Sequence, residues 1–301
     1  MRKVSSIFLV GLCVGAIGAV VVTVRHETVV DSPRPIASTG TVTSMSAIPA
    51  APTSSVPPTT QSKSTPTPTP ARKPHADPSA LDELIPGGEV SAVVFDRTTG
   101  KTLLSAHADR TYTSASLVKL FIALEALDQD GPADLVRRML SLSDDDLASR
   151  LWTTYGGPQI VSRWAKVMGL HDTRPPASPG RWGDTEITAS DMVRVYRYLT
   201  EQAAASGRST ILDALRHATE RGSDGFRQYF GIPDAAEGHS WAVKQGWSCC
   251  RPTRMLHTTG LVEDDRYIVV VLTENPRAVS DATGSQRVTA VVKDLLSSIG
   301  L

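Results

Sequence analysis

Eleven of the 20 prolines fall within residues 32–78, and no other feature limits what this 301-residue chain can fold into so strongly. Each proline removes a backbone donor and favours the extended polyproline form. A Pro/Thr/Ser tract centred on the Thr-Pro alternation of residues 65–70 therefore cannot build a packed core. Extended at about 3.1 Å per residue, it reaches roughly 150 Å, the length of a tether. The folded part is left with about 220 residues, enough for one well-buried core. The expected organisation is residues 1–30 as a membrane anchor or signal segment, 31–80 as a disordered linker, and 81–301 as the folded domain.

Arg2 and Lys3 precede an apolar run over residues 4–24, which Arg25 ends. At about 1.5 Å per residue this run matches the roughly 30 Å of a hydrocarbon layer. Its positive end stays in the cytoplasm, so the remainder is exported. The expectation is a single-pass protein of the cell membrane with its folded domain outside the cytoplasm. A cleaved signal peptide, which makes the protein secreted, is the first rival. A lipid on Cys13 is the second, although Leu12 stands where a small residue is expected.

Charge narrows the function. The chain has 31 basic and 31 acidic side chains, formal net charge zero, which argues against a nucleic-acid partner. Cys249 and Cys250 are adjacent. They form either a strained vicinal disulfide or two free thiols, since neighbours in a strand point to opposite faces. No Cys/His spacing suggests a zinc site and no glycine loop suggests a phosphate, so neither metal nor cofactor is expected.

Residues 90–95 and 102–106 flank a turn at 96–100 and read as a hairpin. Helical patterns cover 117–127, 133–140, 144–155, 158–168, 189–205 and 210–221. Gly156-Gly157 and Gly169 supply two of their stops. Strand signals return at 240–247, 255–262 and 267–273, and residues 269–272, Val-Val-Val-Leu, read as a central strand covered on both faces. A closing helix covers 288–299. Strands on both sides of a helical block suggest an α+β domain with one antiparallel five-stranded sheet built from both chain ends, flanked by helices, with an inserted all-helical lobe. Such a layout places a cleft where ligands bind.

Ser116-Leu117-Val118-Lys119 is an S-x-x-K that opens an apolar helix. Residues i and i+3 share a helix face, so the lysine amine sits beside the serine hydroxyl. A serine activated by a neutral lysine is an acyl-transfer arrangement. Two further clusters follow in order. Ser143-Asp144-Asp145-Asp146 opens another helix, and Lys244-Gln245-Gly246 lies in a strand.

With these three motifs in this order, the domain resembles the penicillin-recognising serine enzymes, namely class A β-lactamases and low-molecular-mass penicillin-binding proteins, whose signature is S-x-x-K, S-D-N and K-T-G. The resemblance covers residues 90–296. It implies that Ser116 is the nucleophile, that Lys119 takes its proton, and that Ser143 relays a proton to the leaving group. It implies that Lys244 adds positive charge beside the substrate carboxylate. The backbone N–H groups of Ser116 and Trp247 form the oxyanion hole, and Asp145, Gln245 and Gly246 contact substrate. Arg254, which enters the following strand, either binds a substrate carboxylate or is a surface arginine. The substrate is a D-alanyl peptide, a β-lactam or a related amide or ester, and the protein is a monomer.

Departures from the pattern qualify this. Asp145 stands where the family has asparagine; a carboxylate cannot donate to a substrate carbonyl and favours the ammonium form of Lys119. Gln245 replaces a small hydroxyl residue and is long enough to narrow the cleft. Ser116 and Ser143 are only 27 residues apart, about half the class A spacing. Residues 174–183, which correspond to the loop carrying the deacylating glutamate, hold no carboxylate; Asp184 and Glu186 follow it. Two functions follow: an acyl-enzyme that deacylates slowly, or a catalytically degenerate cell-wall binding or scaffold domain.

Overall fold

The computed structural model describes residues 78–248 and 252–301. The apolar run, Cys13, the linker up to residue 77, and Cys249 and Cys250 lie outside the described residues. Among the described residues, no helix is long and apolar enough to cross a membrane.

The domain opens with helix α1 (Pro78–Leu84), which begins inside the stretch expected to be linker. Strand β1 (Glu89–Asp96) and strand β2 (Lys101–Ala106) form the expected hairpin. Asp96 Oδ1 accepts from the N–H groups of Thr98 and Thr99 to shape the turn. A short strand β3 (Tyr112–Thr113) leads to a 3-10 turn (Ala115–Val118) and then helix α2 (Lys119–Asp128). Helices α3 (Ala133–Ser141), α4 (Asp145–Tyr155) and α5 (Pro158–Met168) follow. A 3-10 turn (Trp182–Asp184) and strand β4 (Glu186–Ile187) precede α6 (Ala189–Glu201), α7 (Ala205–Arg216) and the short α8 (Ile232–Ala235). Strands β5 (Trp241–Ser248), β6 (Arg254–Val262) and β7 (Tyr267–Asn275) and helix α9 (Asp281–Ile299) complete the chain.

The five-stranded sheet has the order β2-β1-β7-β6-β5 and is antiparallel throughout. Its centre is β7, the strand whose Val/Leu run shows no alternation. Alternation is present in space instead: Ile268, Val270 and Leu272 enter the core beneath the helices α2–α7, while Val269 and Val271 enter the core beneath α1 and α9. A strand covered on both faces needs apolar residues at every position.

Three local expectations are corrected. The helix expected over 189–205 stops at Glu201, where the chain leaves helical geometry. The helix expected over 210–221 runs from Ala205 to Arg216. Helix α9 starts seven residues before its apolar repeat, where the Ser280 hydroxyl caps the N–H of Thr283. Its polar first turns carry Gly284, at which a Cβ would lie 2.4 Å from Leu256 Cδ1, so close approach to β6 replaces apolar periodicity there. The small β3–β4 sheet was not legible, since two-residue strands carry no pattern.

Candidate active site

Ser116 sits in the 3-10 turn that feeds α2, entered through Ala115 at φ +46°. A left-handed non-glycine residue is held only by surrounding structure, and such residues cluster at functional sites. Packing supplies the restraint here. Gly246 of β5 lies against this turn, where a Cβ would meet the Ser114 carbonyl at 3.0 Å and Leu117 Cγ at 3.1 Å. Glycine at this position lets the edge strand close onto the turn that carries the serine. His257 of β6 holds the approach from below through the Thr113 carbonyl.

Lys119 is 0% exposed, yet four oxygens surround its amine. Nζ lies 2.7 Å from Ser116 Oγ, 2.8 Å from the Ser143 carbonyl, 3.2 Å from Ser143 Oγ and 2.5 Å from Asp145 Oδ1. An ammonium has three protons and cannot satisfy four acceptors fully. A neutral amine has a lone pair that accepts the proton of Ser116 Oγ–H. Burial pushes the Lys119 pKa below the ordinary lysine value, and Asp145 pulls it back up; burial prevails. The carboxylate thus has the direction expected from sequence, but the larger opposing cause, desolvation, needed the fold to be seen.

Ser143 connects the two lysines. Its Oγ is 2.9 Å from Lys244 Nζ and 3.2 Å from Lys119 Nζ, and its backbone is left-handed at φ +51°. It lies outside α4; Asp144 is the N-cap, accepting from the N–H of Leu147. Lys244, whose plain reading is a solvated lysine on an edge strand, is 1% exposed. It also donates to the Gln245 carbonyl. Burial, and then the charge of Lys119, hold its pKa well below the ordinary value.

A cleft of about 390 Å³ opens above these groups. Ser116, Asp145, Trp182, Asp184 and Trp247 are among its walls. The Trp182 ring lies 4.9 Å from Lys119 Nζ and its Nε1 donates to Ser149 Oγ. Trp247 stacks on Phe226 at 4.9 Å and donates from Nε1 to Asp224. Trp182, Arg181 and Asp224 have no motif to mark them; the only signal for Trp182 is an aromatic side chain in the loop over residues 174–183.

The structure thus brings together Ser116, Lys119, Ser143, Asp145, Lys244, Gly246 and Trp247. Two expected contacts are corrected. Gln245 does not narrow the cleft: it is 1% exposed, with its amide donating to the carbonyls of Gln228 and Phe230. Adjacent residues of a strand face opposite ways, so Lys244 facing the nucleophile turns Gln245 aside. Arg254 does not line the cleft; its guanidinium is ion-paired with Asp281 at the start of α9. The two carboxylates after the loop differ. Asp184 borders the cleft, but Arg181 occupies both its oxygens, while Glu186 is an exposed residue of β4.

Comparison with known proteins agrees with this fold. The description of the beta-lactamase enzyme family matches residues 132–299. The chain is 34% identical over 253 residues to "Putative lipoprotein LppW" of Mycobacterium tuberculosis, covering 75% of this chain and 80% of that one. Among solved structures, a class A beta-lactamase from Bacteroides cellulosilyticus superposes with TM-score 0.64 at 14% identity, covering 77% of this chain and 99% of the other. A class A beta-lactamase from Mycobacterium abscessus does so with TM-score 0.63 at 19% identity, covering 74% and 98%. The two structures share the fold; the match over more than half of the chain and the identity to LppW establish that this chain belongs to the beta-lactamase enzyme family.

Proposed function

We propose that this protein is an exported, membrane-tethered serine hydrolase that forms an acyl-enzyme at Ser116 and releases it slowly. One observation carries the reading: a buried lysine amine, held below its ordinary pKa, 2.7 Å from the hydroxyl of Ser116. In this reading Lys119 takes the Ser116 proton and Ser143, between the two lysines, passes it to the leaving group. The N–H groups of Ser116 and Trp247 hold the oxyanion, a term worth about 10²–10³ in rate per donor at such sites. The substrate is a D-alanyl peptide, a β-lactam or a related amide or ester, attacked by a monomer. Slow release follows from the loop over residues 174–186, where the Arg181 clamp on Asp184 and the outward Glu186 leave no carboxylate of that loop free to activate water.

The route to the membrane has two forms. The run over residues 4–24 spans a bilayer, or Cys13 carries a lipid, as the name of LppW suggests for that relative. The mass of the purified N-terminal peptide separates them.

Incubation of the protein with a fluorescent penicillin or an activated acyl probe tests the chemistry. A covalent adduct by intact mass, lost in Ser116→Ala, is expected. Absence of any adduct with both probes favours the second reading, a cell-wall binding domain without turnover. The observation behind that alternative is the 2.5 Å ion pair with Asp145, which favours the ammonium form of Lys119 against burial.

A further inference from the structure

The cleft presents an uneven set of charges to an incoming ligand. Lys119 and Lys244 lie beneath its floor, 0% and 1% exposed. Arg181 is taken up by Asp184 through Nε and Nη2, and Arg254 by Asp281. Asp145 is different. Its side chain is 66% exposed and forms part of the cleft wall. Oδ1 holds Lys119, whereas Oδ2 meets no donor among the described residues. Among the described residues, a ligand therefore meets an open carboxylate oxygen at this wall and no accessible unpaired cation. A substrate carboxylate is poorly matched to such a wall; a substrate ammonium is well matched.

We infer that Asp145 makes this cleft select acyl donors that carry an ammonium group near the scissile carbonyl, and that this ammonium, by engaging Asp145, frees Lys119 to act as the base. The inference rests on the acyl-enzyme reading given above and names its substrate class.

The coupling follows from the contacts of Lys119. Among its causes of charge, Asp145 is the neighbour that most favours the ammonium; burial opposes it, and Lys244 adds a second amine within reach of Ser143. An ammonium on the ligand neutralises part of the field of Asp145, and the proton on Lys119 leaves to solvent. The neutral amine then takes the proton of Ser116 Oγ as the Oγ–C bond forms and the carbonyl electron pair moves to oxygen. On collapse that pair re-forms the carbonyl, the bond to the leaving group breaks, and the leaving group receives the proton from Lys119 through Ser143 Oγ. No oxidant or further reactant is needed. A donor bearing a carboxylate in the same place is repelled by Asp145 and leaves Lys119 protonated.

The test uses the full-length protein and two aryl thioester acyl donors that differ only in a side-chain amine, free in one and acetylated in the other. Adduct formation on Ser116 is followed by intact mass. The free-amine donor should acylate on the order of tenfold faster, as one charge-assisted contact implies. The ratio should fall to about one in Asp145→Asn, which keeps size and shape at an exposed position. Equal rates in the unmodified protein, or a preference that survives Asp145→Asn, overturn the inference while leaving the acyl-enzyme reading intact. If neither donor acylates Ser116, the acyl-enzyme reading fails. Charge selection is then read by titrating the corresponding unreactive amides: tighter binding of the free amine, lost in Asp145→Asn, upholds it, and equal binding refutes it.

Discussion

The imidazole of His257 donates from Nε2 to the carbonyl of Thr113, 2.9 Å away, and so fastens β6 to the segment that leads into Ser116. Its tautomer is set by the other nitrogen, since Nδ1 accepts the N–H of Thr273 of β7. The ring packs edge-on against Tyr112. One buried side chain thus ties two sheet strands to the turn that holds the nucleophile, three residues before it.

This clamp makes stability depend on pH. Burial depresses the His257 pKa from 6.5 to about 4. A base whose folded pKa is lowered stabilises the fold fully above its unfolded value, and that contribution drains away as pH falls from 6.5 towards 4. At about 1.4 kcal/mol per pKa unit, the loss approaches roughly 3 kcal/mol. Urea unfolding at pH 7 and pH 4.5 should show the decline, and an imidazole resonance should titrate near 4. Titration of this ring near 6.5 in the folded protein is the result that contradicts the clamp.

Gly246 offers a second, steric prediction. A Cβ there sits 3.0 Å from the Ser114 carbonyl, 3.1 Å from Leu117 Cγ and 3.3 Å from His257 Cδ2, with backbone as the least yielding neighbour. Gly246→Ala should cost about 1–3 kcal/mol by overpacking. It should also lower the acylation rate of Ser116 more than its loss of stability explains, because β5 is displaced from the nucleophile turn. Rates measured well below the melting temperature separate the two effects.

Much of this was legible in the residues. The three motifs marked Ser116, Lys119, Ser143 and Lys244, and the glycine stops at 156 and 169 end two helices as read. Where reading failed, the deciding information was not local. Gln245 and Arg254 are chosen or excluded by which way a strand residue faces and by a partner on another element. Asp281 is 27 residues from Arg254 along the chain. The net direction of the Lys119 pKa depended on burial, which one sequence does not report. Trp182 belongs to the cleft because its turn packs against the Ala115–Val118 turn that carries Ser116, a contact without periodicity or motif.

Lys244 tests the proton relay apart from stability. Lys244→Met removes a buried amine and leaves an apolar chain of similar length, so no unpaired charge remains in the interior. Folding stability should be unchanged or slightly raised. Ser143 Oγ then keeps only Lys119 as a partner, and acylation should fall about 10²–10⁴-fold, the range for a displaced general acid–base group. Unimpaired acylation in this variant removes Lys244 from the mechanism.

Asp145→Asn addresses the base itself. The carboxylate is the largest of the causes that raise the Lys119 pKa, against a larger lowering by burial. Removing the negative charge therefore lowers that pKa further, and the reactive neutral amine is populated at lower pH. For a penicillin or another donor without an ammonium, acylation at neutral pH should rise, and the acidic limb of the pH–rate profile should move to lower pH. The amide of asparagine can also donate to a substrate carbonyl, which the carboxylate cannot. The shift of the limb distinguishes these contributions: an added hydrogen bond raises the rate at every pH, whereas a released base moves the profile along the pH axis. Loss of acylation in Asp145→Asn would show instead that the ion pair positions Lys119 for its work, and that the 2.5 Å contact is a support and not a restraint on the base.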